Sequence, residues 1–267
     1  MDAIRYGLLV ASLMLLQACG EQGSIVRIGD RSLDIKQTFS DPHVRALARA
    51  AARGDTAAMD RQIADGVNVN ATGKDNVTPL WWAAASGNCE GFAGLLKRGA
   101  NANASRTGGL SIMTLVTLNE KADLLDLALK HGGDPNFRDG SGGETPIFAA
   151  IRYGRYSQLE MLLRSGADVN VQSKGGWTAM TEAIGSGGDY KTVLRLLELG
   201  ADPTLKLTNG KSLADIIALR AIDPNSEAYI WREKVLAILR QKGIEVSRPS
   251  HEGSRRSEEP DKSTKGR

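Results

Sequence analysis

Histidine and cysteine are scarce in this chain: three histidines and two cysteines among 267 residues. His43, His131 and His251 lie far apart in sequence, and no clustered Cys/His spacing, HExxH helix or GxSxG elbow is present. That removes the usual grounds for a metal centre, a cofactor or a hydrolase, and the expectation is a non-enzymatic protein that holds neither metal nor cofactor. An excess of charge is also missing. The net charge is +3, and the last 21 residues, with six Lys/Arg against four Asp/Glu, carry +2 of it. No basic face for nucleic acid follows from so small a balance. The apolar run from Leu8 to Ala18 is shorter than the about 20 residues a bilayer-spanning helix needs.

A recurring phrase fills the middle of the chain. DGVNVN, RGANAN, HGGDPN, SGADVN and LGADPT place glycines at Gly66, Gly99, Gly132, Gly166 and Gly200, with spacings of 33, 33, 34 and 34 residues. A second beat follows each glycine by 12 or 13 residues, at Thr78, Ser111, Thr145, Thr178 and Ser212. A period of this size signals a stacked array whose units are too small to fold alone.

Each unit follows one plan. Its Thr or Ser opens a first helix by satisfying free backbone N–H groups, sometimes with proline next. Small residues such as Ala83-Ala84 and Ala149-Ala150 fill that helix, so neighbouring units must approach closely. Turn glycines are expected at Gly54, Gly87, Gly154 and Gly187, followed by leucine-rich second helices (Leu95-Leu96, Leu124-Leu125, Leu162-Leu163, Leu196-Leu197). The Gly-Ala-Asp phrase ends the second helix with a left-handed glycine. A Gly/Asn/Asp-rich hairpin loop leads to the next unit. Asp41 and Pro42 provide an N-cap and first helical residue for unit one, with Phe39 as a hydrophobic staple.

The strings TPLWWAAASG (78–87) and TPIFAAIRYG (145–154), with the Gly-Ala-Asp endings, resemble the ankyrin repeat. The resemblance covers about residues 41–246 and implies an all-α solenoid with hairpin-loop fingers, in units of about 41–71, 72–104, 105–137, 138–171, 172–204 and 205–246. The family's TPLH histidine is absent: Trp81, Thr114, Phe148, Thr181 and Asp215 stand in its place. Unit three is degenerate, with Glu120 where the turn glycine belongs, and unit six closes with a helix from Trp231 to Gln241. His131-Gly132-Gly133 and Gly210-Lys211-Ser212 look like catalytic and phosphate-binding strings, but both fall on ordinary phrases of the repeat.

Ahead of the array, Leu16-Gln17-Ala18-Cys19-Gly20 resembles a bacterial lipobox. It implies a signal peptide over 1–18, a lipid anchor on Cys19, and a place in the bacterial periplasm, at the outer membrane if the cell is Gram-negative. Cys89 is then a lone thiol near a helix start. Residues 19–40 read as a tether and N-terminal extension whose Ile25–Ile28 and Leu33–Ile35 stretches pack onto unit one. Residues 247–267 are polar and apolar-poor, the composition of disorder.

The resemblance also implies a protein partner held on a concave face lined by finger tips and first-helix ends, by a chain that is monomeric when free. By position, Lys74, Asp75, Leu110, Glu144, Lys174 and Trp177 fall on fingers, and Arg152-Tyr153 ends a first helix near Tyr156. Trp82 joins them as an aromatic of the first helix, since aromatics and arginine anchor interfaces. The chain resembles bacterial lipid-anchored ankyrin lipoproteins, some of which are immunity proteins against secreted antibacterial effectors, including type VI lipases. An envelope scaffold or stress-protection factor with an endogenous partner is the alternative.

Overall fold

The computed structural model describes residues 23–28, 31–140 and 142–246. The expected leader 1–18, Cys19 and the tail 247–267 lie outside the described residues, as does Ser141. The array is built of paired helices, an inner followed by an outer one. The pairs are α2 Pro42–Arg53 with α3 Thr56–Ala64, and α4 Pro79–Ser86 with α5 Cys89–Lys97. Next come α6 Ile112–Leu118 with α7 Asp123–Lys130, and α8 Pro146–Arg152 with α9 Tyr156–Arg164. The last are α10 Ala179–Gly187 with α11 Tyr190–Glu198, and α12 Leu213–Leu219 with α13 Glu227–Gln241. Ahead of them stand strands β1 Ile25–Ile28 and β2 Arg31–Asp34, paired antiparallel with Val26 opposite Leu33, and the short helix α1 Ile35–Thr38.

Local chemistry sets most boundaries. Asp41 accepts from the His43 N–H at 2.7 Å with Pro42 at the first helical position, and Thr78 and Ser111 accept from Trp81 and Thr114, each at 3.1 Å. Thr178 and Ser212 form reciprocal capping boxes. Left-handed glycines turn the chain between inner and outer helices at Gly54, Gly87 and Gly154, with φ of 74°, 71° and 62°. In unit five the turn falls on Gly188 (φ 74°) and not on Gly187, which is the last residue of α10. Unit three replaces the missing glycine differently. Its α6 runs into Asn119 in extended conformation, and the buried Gln158 of unit four donates to the Asn119 carbonyl at 2.6 Å.

Inner helices stack in series, α2 on α4, α4 on α6, α6 on α8, α8 on α10 and α10 on α12. Ala51, Ala83, Ala84, Ala150 and Ala183 are buried along the seam. At Gly91 a side chain would collide with the Ala51 carbonyl, so α5 and α2 meet backbone to backbone. Trp81, in the slot of the absent histidine, is buried and donates from Nε1 to the Leu110 carbonyl at 3.2 Å.

The asparagine that closes each of the first four phrases reaches into the next unit. Asn70 donates to the Gly99 carbonyl (3.0 Å) and accepts from Asn101 N–H (2.8 Å). Asn103 does the same with Gly132 (3.0 Å) and Asp134 (2.7 Å), and Asn136 with Gly166 (2.9 Å) and Asp168 (2.7 Å). Successive fingers are joined through their backbones: Thr107 N–H donates to Asp75 O at 2.8 Å and Lys174 N–H to Gly142 O at 2.9 Å.

The described part of the expected tether is folded. Val26, Ile35 and Phe39 are buried, and Phe39 meets Trp82 edge to face at 5.9 Å. At the other end α13 is the longest helix among the described residues, and Trp231 on it lies under Lys234 (4.1 Å) and Lys191 (5.8 Å).

Two substitutions separate the two kinds of contact between units. Asn136→Ala removes a pair of exposed hydrogen bonds and is expected to lower the unfolding free energy by about 1–2 kcal/mol in urea titration. Gly91→Ala drives a methyl into the Ala51 backbone and is expected to cost more, about 3 kcal/mol.

Candidate protein-binding surface

The inner face is set by register. Four residues after each opening Thr or Ser stand Trp82, Leu115, Ala149, Glu182 and Ile216, and seven residues after stand Ala85, Leu118, Arg152, Gly185 and Leu219. In units four to six these positions meet the fingers and one another. Arg152, at the end of α8, donates from Nη1 and Nη2 to Glu144 on the finger (3.0 and 2.9 Å) and from Nε to Glu182 in α10 (2.7 Å). Burial alone would lower the Arg152 pKa, but its hydrogen bonds to both carboxylates and their charges raise it overall. The guanidinium is thus a fixed cation at the meeting of two units. The adjacent Tyr153 is half-buried, and that burial pushes its phenol up against the opposing pull of Arg152.

Trp177 is 36% exposed and runs along this face. Its ring lies over Gly185, where an added Cβ would stand 2.9 Å from Cζ3, and its Cδ1 lies as close as 3.1 Å to a Cβ built at Gly175. The indole therefore bridges its own finger to its own inner helix and stays partly exposed. Beside it, Ile184, Gly185, Ile216, Leu219 and Arg220 line an open hollow of about 230 Å³. Leu219 is 57% exposed at its edge, and Arg220 closes one side by donating to the Ile184 carbonyl at 2.6 Å. Lys174, Lys206 and Lys211 are exposed on fingers five and six and form no ion pair among the described residues. Within finger four, burial pushes the Asp139 carboxyl up, opposed by hydrogen bonds from Ser111 and Thr114.

Residues 111–206 match the family model of ankyrin repeats in three copies. The solved ankyrin-repeat protein EF0377 superposes with a TM-score of 0.60 and 28% identity, over 73% of this chain and 97% of that one. A solved ankyrin-repeat domain from Acinetobacter baumannii AYE gives a TM-score of 0.63 and 25% identity, over 74% and 98%. The solenoid is an ankyrin-repeat domain. Protein PhlB of Serratia liquefaciens is 35% identical over 114 residues, or 43% of this chain and 50% of PhlB, so the chain spans about half the length of that curated relative.

Within the ankyrin stack the structure gathers Glu144, Arg152, Tyr153, Lys174 and Trp177 into one region: Glu144 grips Arg152, and the Lys174 stem passes 3.7 Å from a Cβ built at Gly143. The other positions fall elsewhere. Lys74 and Asp75 sit in a 3₁₀ turn of finger two, where Asp75 adopts φ 58° and pairs with Arg106 at 3.1 Å. Leu110 is half-buried, with its carbonyl taken by Trp81. Tyr156 is 58% exposed, but it opens the outer helix α9 and hydrogen-bonds Asp189, which places it on the edge formed by the turns between helices. Trp82 is corrected outright. It is 0% exposed, because the N-terminal segment covers it and Gly23 accepts its indole proton at 3.1 Å.

Sequence reasoning missed Glu182, Ile216 and Leu219. The signal for Leu219 was present, since the offset that selects Arg152 from Thr145 selects Leu219 from Ser212. Glu182 carries no local mark, as its partner arrives from the preceding unit.

Arg152→Ala leaves Glu182 buried without its cation, and a loss of about 1–2 kcal/mol is expected in chemical denaturation. That is less than for a fully buried pair, because part of the guanidinium faces solvent. Asp139 tests the other charge. A carboxyl raised in the folded state favours folding below its ordinary pKa of about 3.9 and loses that contribution as pH rises through the folded value. Asp139→Asn should therefore gain stability relative to the parent between pH 3 and pH 7, with the two converging at acid pH in thermal melts.

Proposed function

We propose that this chain is a non-enzymatic protein-binding module, lipid-anchored through Cys19 in the bacterial periplasm, that acts as an immunity protein by seating on a secreted effector of the phospholipase class. Binding is the role ankyrin repeats suggest, and one observation carries its placement here: the partly exposed Trp177 beside the Leu219 hollow, on a floor fixed by the Glu144–Arg152–Glu182 network. A preorganised surface loses little entropy when a partner docks. An aromatic beside an apolar hollow and unpaired lysines suits an acidic loop carrying an apolar side chain, pressed over the partner's active site. Membrane anchoring would hold the module where an enzyme that attacks phospholipid works.

The test is a calorimetric titration of the chain from residue 20 onward against a purified antibacterial phospholipase effector. Lys174→Glu, Tyr153→Ala and Trp177→Ala are each expected to weaken binding about tenfold or more with helical circular dichroism retained. The phospholipase should lose activity on binding the parent chain. Undiminished affinity in all three variants would reject this face, and a phospholipase left fully active in the complex would reject the immunity role.

A further inference from the structure

We propose that the N-terminal segment, described over 23–28 and 31–39, is an intramolecular ligand of the inner face, filling the half of the groove formed by units one and two, so that a partner is confined to units four to six. The confinement rests on the protein-binding reading above; the occupancy stands without it.

The positions under the segment are groove positions. Ala52 stands two residues before its turn glycine, as Arg152 does before Gly154, and Arg49 stands five before, as Trp82 does before Gly87. Gly23 lies against this floor in left-handed conformation (φ 86°), where a Cβ would come within 2.9 Å of the Ala52 methyl and 3.3 Å of the Arg49 carbonyl. From there β1 crosses α4, and α1 descends between α2 and the 74–76 turn of finger two. At the far end Arg45 holds the Phe39 and Ser40 carbonyls at 3.0 and 3.2 Å, and a side chain at Gly73 would strike the Thr38 carbonyl.

The segment has the two-sided character of a docked peptide. Val26, Ile35 and Phe39 point into the stack and are buried, while Arg27, Ser32, Lys36 and Gln37 are exposed. Its own fold is slight, two four-residue strands and one helical turn, closed by Ile35 N–H to Ser24 O at 3.0 Å. An isolated two-stranded hairpin is marginal in water, so its order comes from the groove. What the groove recognises is correspondingly defined: a chain reversal with two inward aliphatic side chains, an aromatic for the edge of Trp82, and one backbone carbonyl for the Trp82 indole N–H.

A ligand can be removed and replaced, whereas a core element cannot. In the full-length chain, Val26→Asp with Ile35→Asp should release the segment. Hydrogen exchange should show loss of protection across 23–39, with protection in 146–198 and helical circular dichroism retained. A synthetic peptide of residues 23–39 should then bind the variant saturably, one per chain, and should not bind the parent chain, whose site is filled. As a second route, a protease site inserted between Ser40 and Asp41 allows the folded chain to be cut. The severed segment should dissociate on dilution and rebind as peptide. Collapse of the helical signal in both the variant and the cut chain, or failure of the peptide to bind either, would overturn the proposal and make the segment part of the core.

Discussion

No unit of this stack owns a complete core, and every other feature depends on how closely one unit can lie on the next. The approach is fixed at two levels. Along the inner seam, alanines at 51, 83, 84, 150 and 183 are buried, and Gly91 brings the α5 backbone against that of α2. In the loops, Asn70, Asn103 and Asn136 each take a carbonyl and give an acceptor to the following phrase. The 33- to 34-residue beat is the sequence trace of those two requirements. Residues free of both stand at the fingers and inner-helix ends, and there the surface varies from unit to unit.

The variation divides the inner face in two. At the N-terminal half the floor is Arg49, Ala52 and Trp82, largely covered by the chain's own segment. At the C-terminal half Arg152 ties finger four to α10, and Trp177 lies over the glycine that gives it room. Gly185 matters to that geometry more than its size suggests, because any side chain there would lift the indole. One half is a filled seat, and the other is a rigid floor with a partly exposed aromatic and an open hollow. A protein-binding module with one free half has less room for a partner than six repeats would imply.

Much of the fold was legible in the sequence because the repeat states it several times over. Caps at Asp41, Thr78, Ser111, Thr178 and Ser212, and left-handed glycines at 66, 99, 132, 166 and 200, each answer to a local backbone need. The turn of unit five was misplaced by one residue because Gly187 and Gly188 offer the same chemistry in succession, and only the end of α10 decides between them. The site was less legible. Trp82 reads as a surface aromatic until the Gly23 carbonyl, far away in sequence, is found accepting its indole N–H. Leu110 reads as a finger tip until its carbonyl is found on Trp81, and Glu182 gains meaning only from Arg152. Those relations join units or join the extension to the stack, and periodicity is blind to both.

The claim that joins these observations is that the partner reads the C-terminal half of the inner face and leaves the N-terminal half to the chain's own segment. Hydrogen–deuterium exchange of the full chain, with and without bound partner, tests it most directly. The account predicts new protection concentrated in 174–186 and 213–220, with exchange in 44–53 and 80–86 unchanged. Protection that appears instead over 44–53 and 80–86, with 174–186 unaffected, would contradict it.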